Sequence, residues 1–154
     1  MHIYRIERDK YASDVLSGRG AAVAGARWNH IQTPAVYCAD SRALAILEIL
    51  VHLRKVTLIP HDRFIFTMMV PDDQILAVHT SDLPNGWNQI PESSSAAKDL
   101  FQDLCVKPDR LGLSVPSVVV PQERNLVLNP RCSFFRDVIQ VLSQDRLSVD
   151  KRLL

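Results

Sequence analysis

Glu48 stands inside an otherwise apolar run, residues 43–51, which reads Ala-Leu-Ala-Ile-Leu-Glu-Ile-Leu-Val. At helical spacing its same-face neighbours are Leu44, Ala45, Val51 and His52. A carboxylate in that setting is largely withdrawn from water, which is costly unless something specific compensates it. Two kinds of compensation fit. The carboxylate pairs with an arginine or caps a neighbouring loop; or it does chemistry, as a fixed negative charge that supports an oxocarbenium-like transition state while a glycosidic bond breaks. Arg27 follows Gly18-Arg19-Gly20 and Gly25. Its planar fork suits a diphosphate, although an arginine at an arbitrary position is more often simply a surface residue. Tyr37 lies in the apolar stretch 35–39, where its ring can stack on a planar ligand or sit in the core with its hydroxyl satisfied. Ser117, framed by Pro116 and Pro121, is a hydrogen-bonding candidate and not a nucleophile, since no Gly-x-Ser-x-Gly elbow surrounds it.

Other polar residues are less informative. Glu48 and His52 are four apart, but the text is not His-Glu-x-x-His and no third ligand is evident, so no metal site is expected. Cys38, Cys105 and Cys132 are odd in number and widely spaced, matching neither a disulfide framework nor a zinc site. Cys38 reads as a small buried hydrophobe. The glycines before Arg27 match no phosphate-binding or dinucleotide fingerprint. His79 reads as a surface or turn histidine. Asn125 and Asn129 flank a short strand, where they either orient the Ser117 loop or form turns.

The elements that must hold these residues can be sketched from periodicity. Strands are expected over 2–6, 35–39, 63–70, 74–79, 116–120 and 125–128. In the third, Phe64, Phe66, Met68 and Val70 share one face by strict alternation. Pro71-Asp72-Asp73 predicts a turn joining it to the fourth as an antiparallel pair. The main helix is expected over 41–54, with Asp40 or Ser41 as N-cap and Pro60 as its far limit. A second helix is expected over 96–105, opened by Ser93-Ser94-Ser95, after a turn-rich loop between 80 and 95. Residues 136–142 fit helix or strand by pattern, with strand preferred. Nine prolines, several beside strand candidates, favour an α+β fold: a single compact β-rich domain with a few helices, covering residues 1–154.

The totals bound the class of protein. A chain of 154 residues supports one domain with a sizeable core, and a formal charge of +1 argues against direct nucleic-acid binding. Arginine heavily outnumbers lysine among the 18 basic residues, weak support for recognition of planar anions. No stretch approaches the roughly 20 apolar residues that cross a bilayer, and the start lacks the plan of a signal peptide. A cytoplasmic protein without a membrane partner is the expectation.

Arg27, Glu48 and Ser117 together resemble the Arg-Glu-Ser signature of the RES domain family. The surrounding text agrees: a Gly-rich lead into Arg27-Trp28, the block VYCADSRALAILEILVH, and the block VPSVVVPQERNLVLNP. The likeness runs from Tyr4-Arg5 to the closing Asp150-Lys151-Arg152-Leu153. One departure is Ala26, where the family usually has glycine before the arginine; alanine is tolerated there unless the position needs a positive φ. The resemblance implies an ADP-ribosyltransferase-like RES fold and the toxin of a bacterial toxin–antitoxin pair. Such a toxin consumes NAD as substrate, acting as NAD glycohydrolase, NAD phosphorylase or ADP-ribosyltransferase, and an Xre-type helix-turn-helix antitoxin neutralises it. ADP-ribose would pass to water, phosphate or a protein target. Glu48, Arg27 and Ser117 would carry the chemistry, and Arg5, Trp28 and Tyr37 would bind substrate. Arg5 would make a second phosphate contact or a salt bridge to Glu48. The alternative is a non-catalytic RES-like interaction module, which has no need of a carboxylate in an apolar helix face.

Overall fold

A computed structural model of the chain describes residues 1–52, 62–90, 94–150 and 152. Among them, seven strands form one mixed sheet: β1 (His2–Arg8), β2 (Val36–Ala39), β3 (Arg63–Met69), β4 (Ile75–Ala77), β5 (Gly112–Pro116), β6 (Arg124–Leu128) and β7 (Gln140–Arg146). Their spatial order is β4-β5-β6-β2-β1-β3-β7. Neighbours are antiparallel except β4 and β5, which run parallel. The helices are α1 (Arg19–Ala24), α2 (Arg42–His52), α3 (Ser95–Leu104) and α4 (Phe135–Val138). The architecture is α+β, in a single compact domain.

Alternation along the strands divides the core. Phe64, Phe66, Met68 and Val70 do share one face, packed with Ile3, Val36, Cys38, Leu126 and Leu128. Val15, Phe135 and Ile139 cover that side. The opposite face carries two clusters. Ala97 and Phe101 of α3 pack on Trp28, Leu113, Val115 and Val127. Leu44 and Ala45 of α2 pack on Ile6, Ala39 and Ile65. The residues of interest gather on this second face.

Helix α2 starts where its sequence says it should. The Ser41 hydroxyl accepts the Leu44 N–H at 3.0 Å, so Ser41 and not Asp40 is the cap. The expected far end of this helix, at Arg54 and Pro60, lies outside the described residues, as does Ser93 before α3. Gly18 begins α1 with φ of 66°, and a Cβ there would sit 2.7 Å from the Ala35 backbone nitrogen, so the segment leading to Arg27 lies hard against the start of β2.

Three expectations are corrected. β3 and β4 do not form a hairpin. The apolar β3 is paired along its length with both β1 and β7, whereas the three-residue β4 joins β5 at the far edge, with α3 as the crossover that parallel strands require. The strand expected over 116–120 is instead β5, ending at Pro116. The Val119 and Val120 N–H groups donate to the Ser117 hydroxyl at 3.0 and 3.1 Å, which bends the chain out of the sheet in spite of its β-branched residues. Residues 135–138 are helical, with β7 following only from Gln140, because Phe135 turns inward to close the first core face.

Candidate active site

The Glu48 side chain leaves α2 one turn beyond Leu44, half-buried at the border of the apolar stripe. Two side chains donate to one of its oxygens. Ser117 Oγ reaches Oε1 at 2.8 Å, and Asn125 Nδ2 reaches the same Oε1 at 2.5 Å. Among the described residues Oε2 accepts no hydrogen bond. The carboxylate is thus compensated by two neutral donors.

Ser117 is fully buried, and its hydroxyl oxygen already accepts from the Val119 and Val120 N–H groups. With its lone pairs engaged, the O–H must point at Glu48. That arrangement makes Ser117 a fixed donor to Glu48. Its own N–H donates to the Glu123 carbonyl at 3.0 Å. Glu123 in turn accepts from the Ser41 hydroxyl at 2.5 Å, which ties the Ser117 loop to the cap of the helix that carries Glu48.

Arg27 approaches from the other side. Its Nη1 donates to the Trp87 and Gln89 carbonyls at 2.6 and 3.1 Å, holding the segment beyond β4 against the arginine loop. Burial lowers the pKa of the guanidinium, and the negative charge of Glu48, then Tyr37, oppose that shift. An arginine so placed stays cationic and senses Glu48 directly. Ala26 is not among the positive-φ residues, so alanine in place of the family's glycine leaves the backbone unstrained.

Trp28 and Tyr37 are more enclosed than a simple ligand shelf. Trp28 is 2% exposed and stacks on Trp87 with ring centroids 5.8 Å apart. The Tyr37 hydroxyl donates to Asn29 Oδ1 at 2.8 Å and accepts the Trp28 N–H at 3.1 Å. Burial raises the phenol's pKa, opposed chiefly by the hydrogen bond from Trp28. Tyr37 therefore has its hydroxyl satisfied within the protein, and it shapes the arginine loop from beneath. Between Trp87, Asn88, Thr80, Pro116, Ser117, Val118 and Pro121 lies a cleft of about 230 Å³.

Arg5 is not brought to this group. Tyr4 and Ile6 face α2, so by strand parity Arg5 faces the other way. It bonds the Tyr37 carbonyl at 2.8 Å and pairs with Glu7 at 2.6 Å; the alternative pairing with Glu48 does not form. Two residues with structural weight at the site were not singled out from sequence. Asn29, fully buried, donates to the Ala21, His30 and Thr33 carbonyls and so knots the arginine loop. Glu123 joins the Ser117 loop to α2. Neither carries a sequence signal, because an asparagine and a glutamate in polar loop text read as turn and surface residues. Asn125, in sequence a turn former or an orienter of the Ser117 loop, bonds Glu48 itself.

Burial pushes the Cys38 thiol up to about 12, and Cys105 likewise to about 12, so both stay protonated. Among the described residues no group of three or more His, Cys, Asp or Glu side chains is gathered as for a metal ion.

Residues 2–150 match the family model described as RES domain. The chain belongs to the RES domain family. Similar curated proteins match most or all of the chain. A "Toxin Res" of Photorhabdus laumondii is 36% identical over 154 residues, spanning 100% of this chain and 97% of its own. A "Toxin Res" of Yersinia enterocolitica is 33% identical over 153 residues, 99% of either chain. A "Prs ADP-ribosylating toxin" of Sphingobium sp. is 39% identical over 133 residues, 82% of this chain and 81% of that one. In this RES domain the glutamate bonds the serine and Asn125, and its charge reaches the arginine.

Proposed function

We propose that this chain is the toxin of a type II toxin–antitoxin pair and cleaves the nicotinamide–ribose bond of NAD. The observation that carries the reading is a carboxylate held by two neutral donors with one oxygen open, close enough to Arg27 for each to feel the other's charge. In the proposed reaction the C–N bond breaks and its electron pair leaves with nicotinamide, neutralising the pyridinium ring. The leaving group needs no proton. What the site must supply is stabilisation of the cation growing on the ribose, and a preorganised Glu48 suits that task. Arg27 would exchange its carbonyl contacts for phosphate oxygens, and the cleft beside Trp87 and Ser117 has the size for one end of the dinucleotide. An acceptor oxygen then forms the new bond to the ribose carbon and loses its proton.

The relatives' names support toxicity, and that of the Sphingobium protein supports ADP-ribose transfer. On this reading the unit is one domain over residues 1–154, its substrate is NAD, its partner is an Xre-type helix-turn-helix antitoxin that covers the cleft, and it works in the cytoplasm without a metal. Incubating the purified chain with NAD, with phosphate and then cell extract added in turn, tests it. The expected result is nicotinamide release, and the addition that accelerates it names the acceptor as phosphate or protein, or as water if neither does. A folded chain that releases no nicotinamide under any of these conditions would sink the catalytic reading and leave the interaction module.

A further inference from the structure

We propose that Asn125 is a positioning residue for Glu48: with Ser117 it pins Oε1 of the carboxylate and leaves Oε2 as the oxygen that meets the substrate. The inference deepens the NAD-cleaving reading above and rests on it.

Asn125 is the second residue of β6, opposite Ala39 of β2 on one side and Val115 of β5 on the other. Its backbone is therefore held in a central strand, and Ala39 belongs to the cluster beneath α2. Asparagine is disfavoured in strands, so strand stability gives no reason for it here. Its side chain spans from the sheet to the helix and ends 2.5 Å from Glu48 Oε1, within direct hydrogen-bonding contact. Only the amide nitrogen can face the carboxylate, because the amide oxygen would place two acceptors in contact.

The two bonds to Oε1 act together. The Asn125 amide N–H can only donate. The Ser117 hydroxyl, its oxygen engaged by two backbone N–H groups, must also donate. Tilting the carboxylate away from either donor would therefore break a bond that holds it. The carboxylate is left with one orientation and one open oxygen. Ser117 sets its height from the β5 end and Asn125 from β6, two anchors that belong to separate segments of the chain.

The test measures nicotinamide release over a range of NAD concentrations for the wild type, N125A and N125D, with thermal melts alongside. N125A is expected to lower kcat by about 10- to 100-fold with KM changed less than about threefold, as for a displaced catalytic group, while the melting temperature stays close to wild type. N125D sets two carboxylates against each other, which must share one proton. Its activity relative to wild type is therefore expected to rise between about pH 8 and about pH 6, as the new acid gains the proton it needs to donate. A merely structural role would instead make the activity loss follow the melting temperature, with no recovery of N125D in acid. A second readout does not depend on turnover: one side-chain amide proton of Asn125 should lie downfield in the wild type and move upfield in E48A. Activity of N125A within about twofold of wild type would overturn the proposal, and so would an Asn125 amide proton unmoved by E48A. If the amide proton moves as expected but the wild type releases no nicotinamide, Asn125 still orients Glu48 and it is the cleavage reading that fails.

Discussion

Ser117 shows how much one hydroxyl can be asked to do. It accepts two backbone N–H groups and donates to Glu48, so its removal has two separable effects. Ser117→Ala leaves two partly buried donors unmatched and should cost about 1–2 kcal/mol of stability, measured by denaturant unfolding, together with a loss of turnover. Tyr37 gives a pH signature. Its folded pKa is raised by burial above the ordinary 10.0. Above that value the unfolded chain releases the phenolic proton and the folded chain holds it, so the unfolded state binds fewer protons and stability falls as pH rises. The contribution is fully present below pH 10 and is lost above it, towards the raised folded value. Thermal melts from neutral pH upward should show the wild type losing stability more steeply beyond this point than Y37F, which has no phenol to ionise. Equal slopes would mean that Tyr37 is not sealed. These residues also show what a sequence reveals at this scale. Glu48 was conspicuous because a charge interrupts an apolar stripe, a contrast visible within nine letters. The Ser117–Glu48 bond joins positions 69 apart and the Asn125–Glu48 bond positions 77 apart, and no local pattern encodes such a meeting.

At the scale of elements, α2 is the mount for Glu48, and its start is fixed twice. Ser41 caps the helix through Leu44 N–H and also donates to Glu123 at the base of the Ser117 loop. Ser41→Ala should therefore cost about 1 kcal/mol from the cap alone. It should lower nicotinamide release as well, because Glu48 and Ser117 then lose their shared brace. A stability loss with activity intact would mean that Glu123 plays no part in aligning them. Element boundaries followed from sequence where caps and alternation were local, as at Ser41 and in β3. They failed where a side chain overruled propensity. Val118-Val119-Val120 reads as strand, yet the Ser117 hydroxyl captures two of its N–H groups and ends the strand at Pro116. Arg5 is a question of parity. The alternation that turns Tyr4 and Ile6 towards α2 necessarily turns Arg5 away, but which face α2 would cover is a tertiary fact that β1 does not contain.

For the whole molecule, the sheet order explains how distant blocks of sequence converge. β2, which leads into α2, sits between β6 and β1, so the text around Glu48 and the text around Asn125 become neighbours through strand pairing. Arg27 arrives through a loop knotted by Asn29, packed on α3 and tied to the segment that carries Trp87. Fold class was legible because it depends on proline usage and periodicity summed over the chain, whereas the pairing of β4 with β5 was hidden by a turn that looked like a hairpin. The central claim is that the open oxygen of Glu48 stabilises the breaking glycosidic bond. Glu48→Gln tests it most directly. The two fixed donors should hold the glutamine carbonyl in the place of Oε1, which puts an amide NH₂ where the open oxygen was. The variant is expected to fold with a melting temperature near that of the wild type and to release nicotinamide from NAD at least about 100-fold more slowly. A folded E48Q that releases nicotinamide at the wild-type rate would contradict the account.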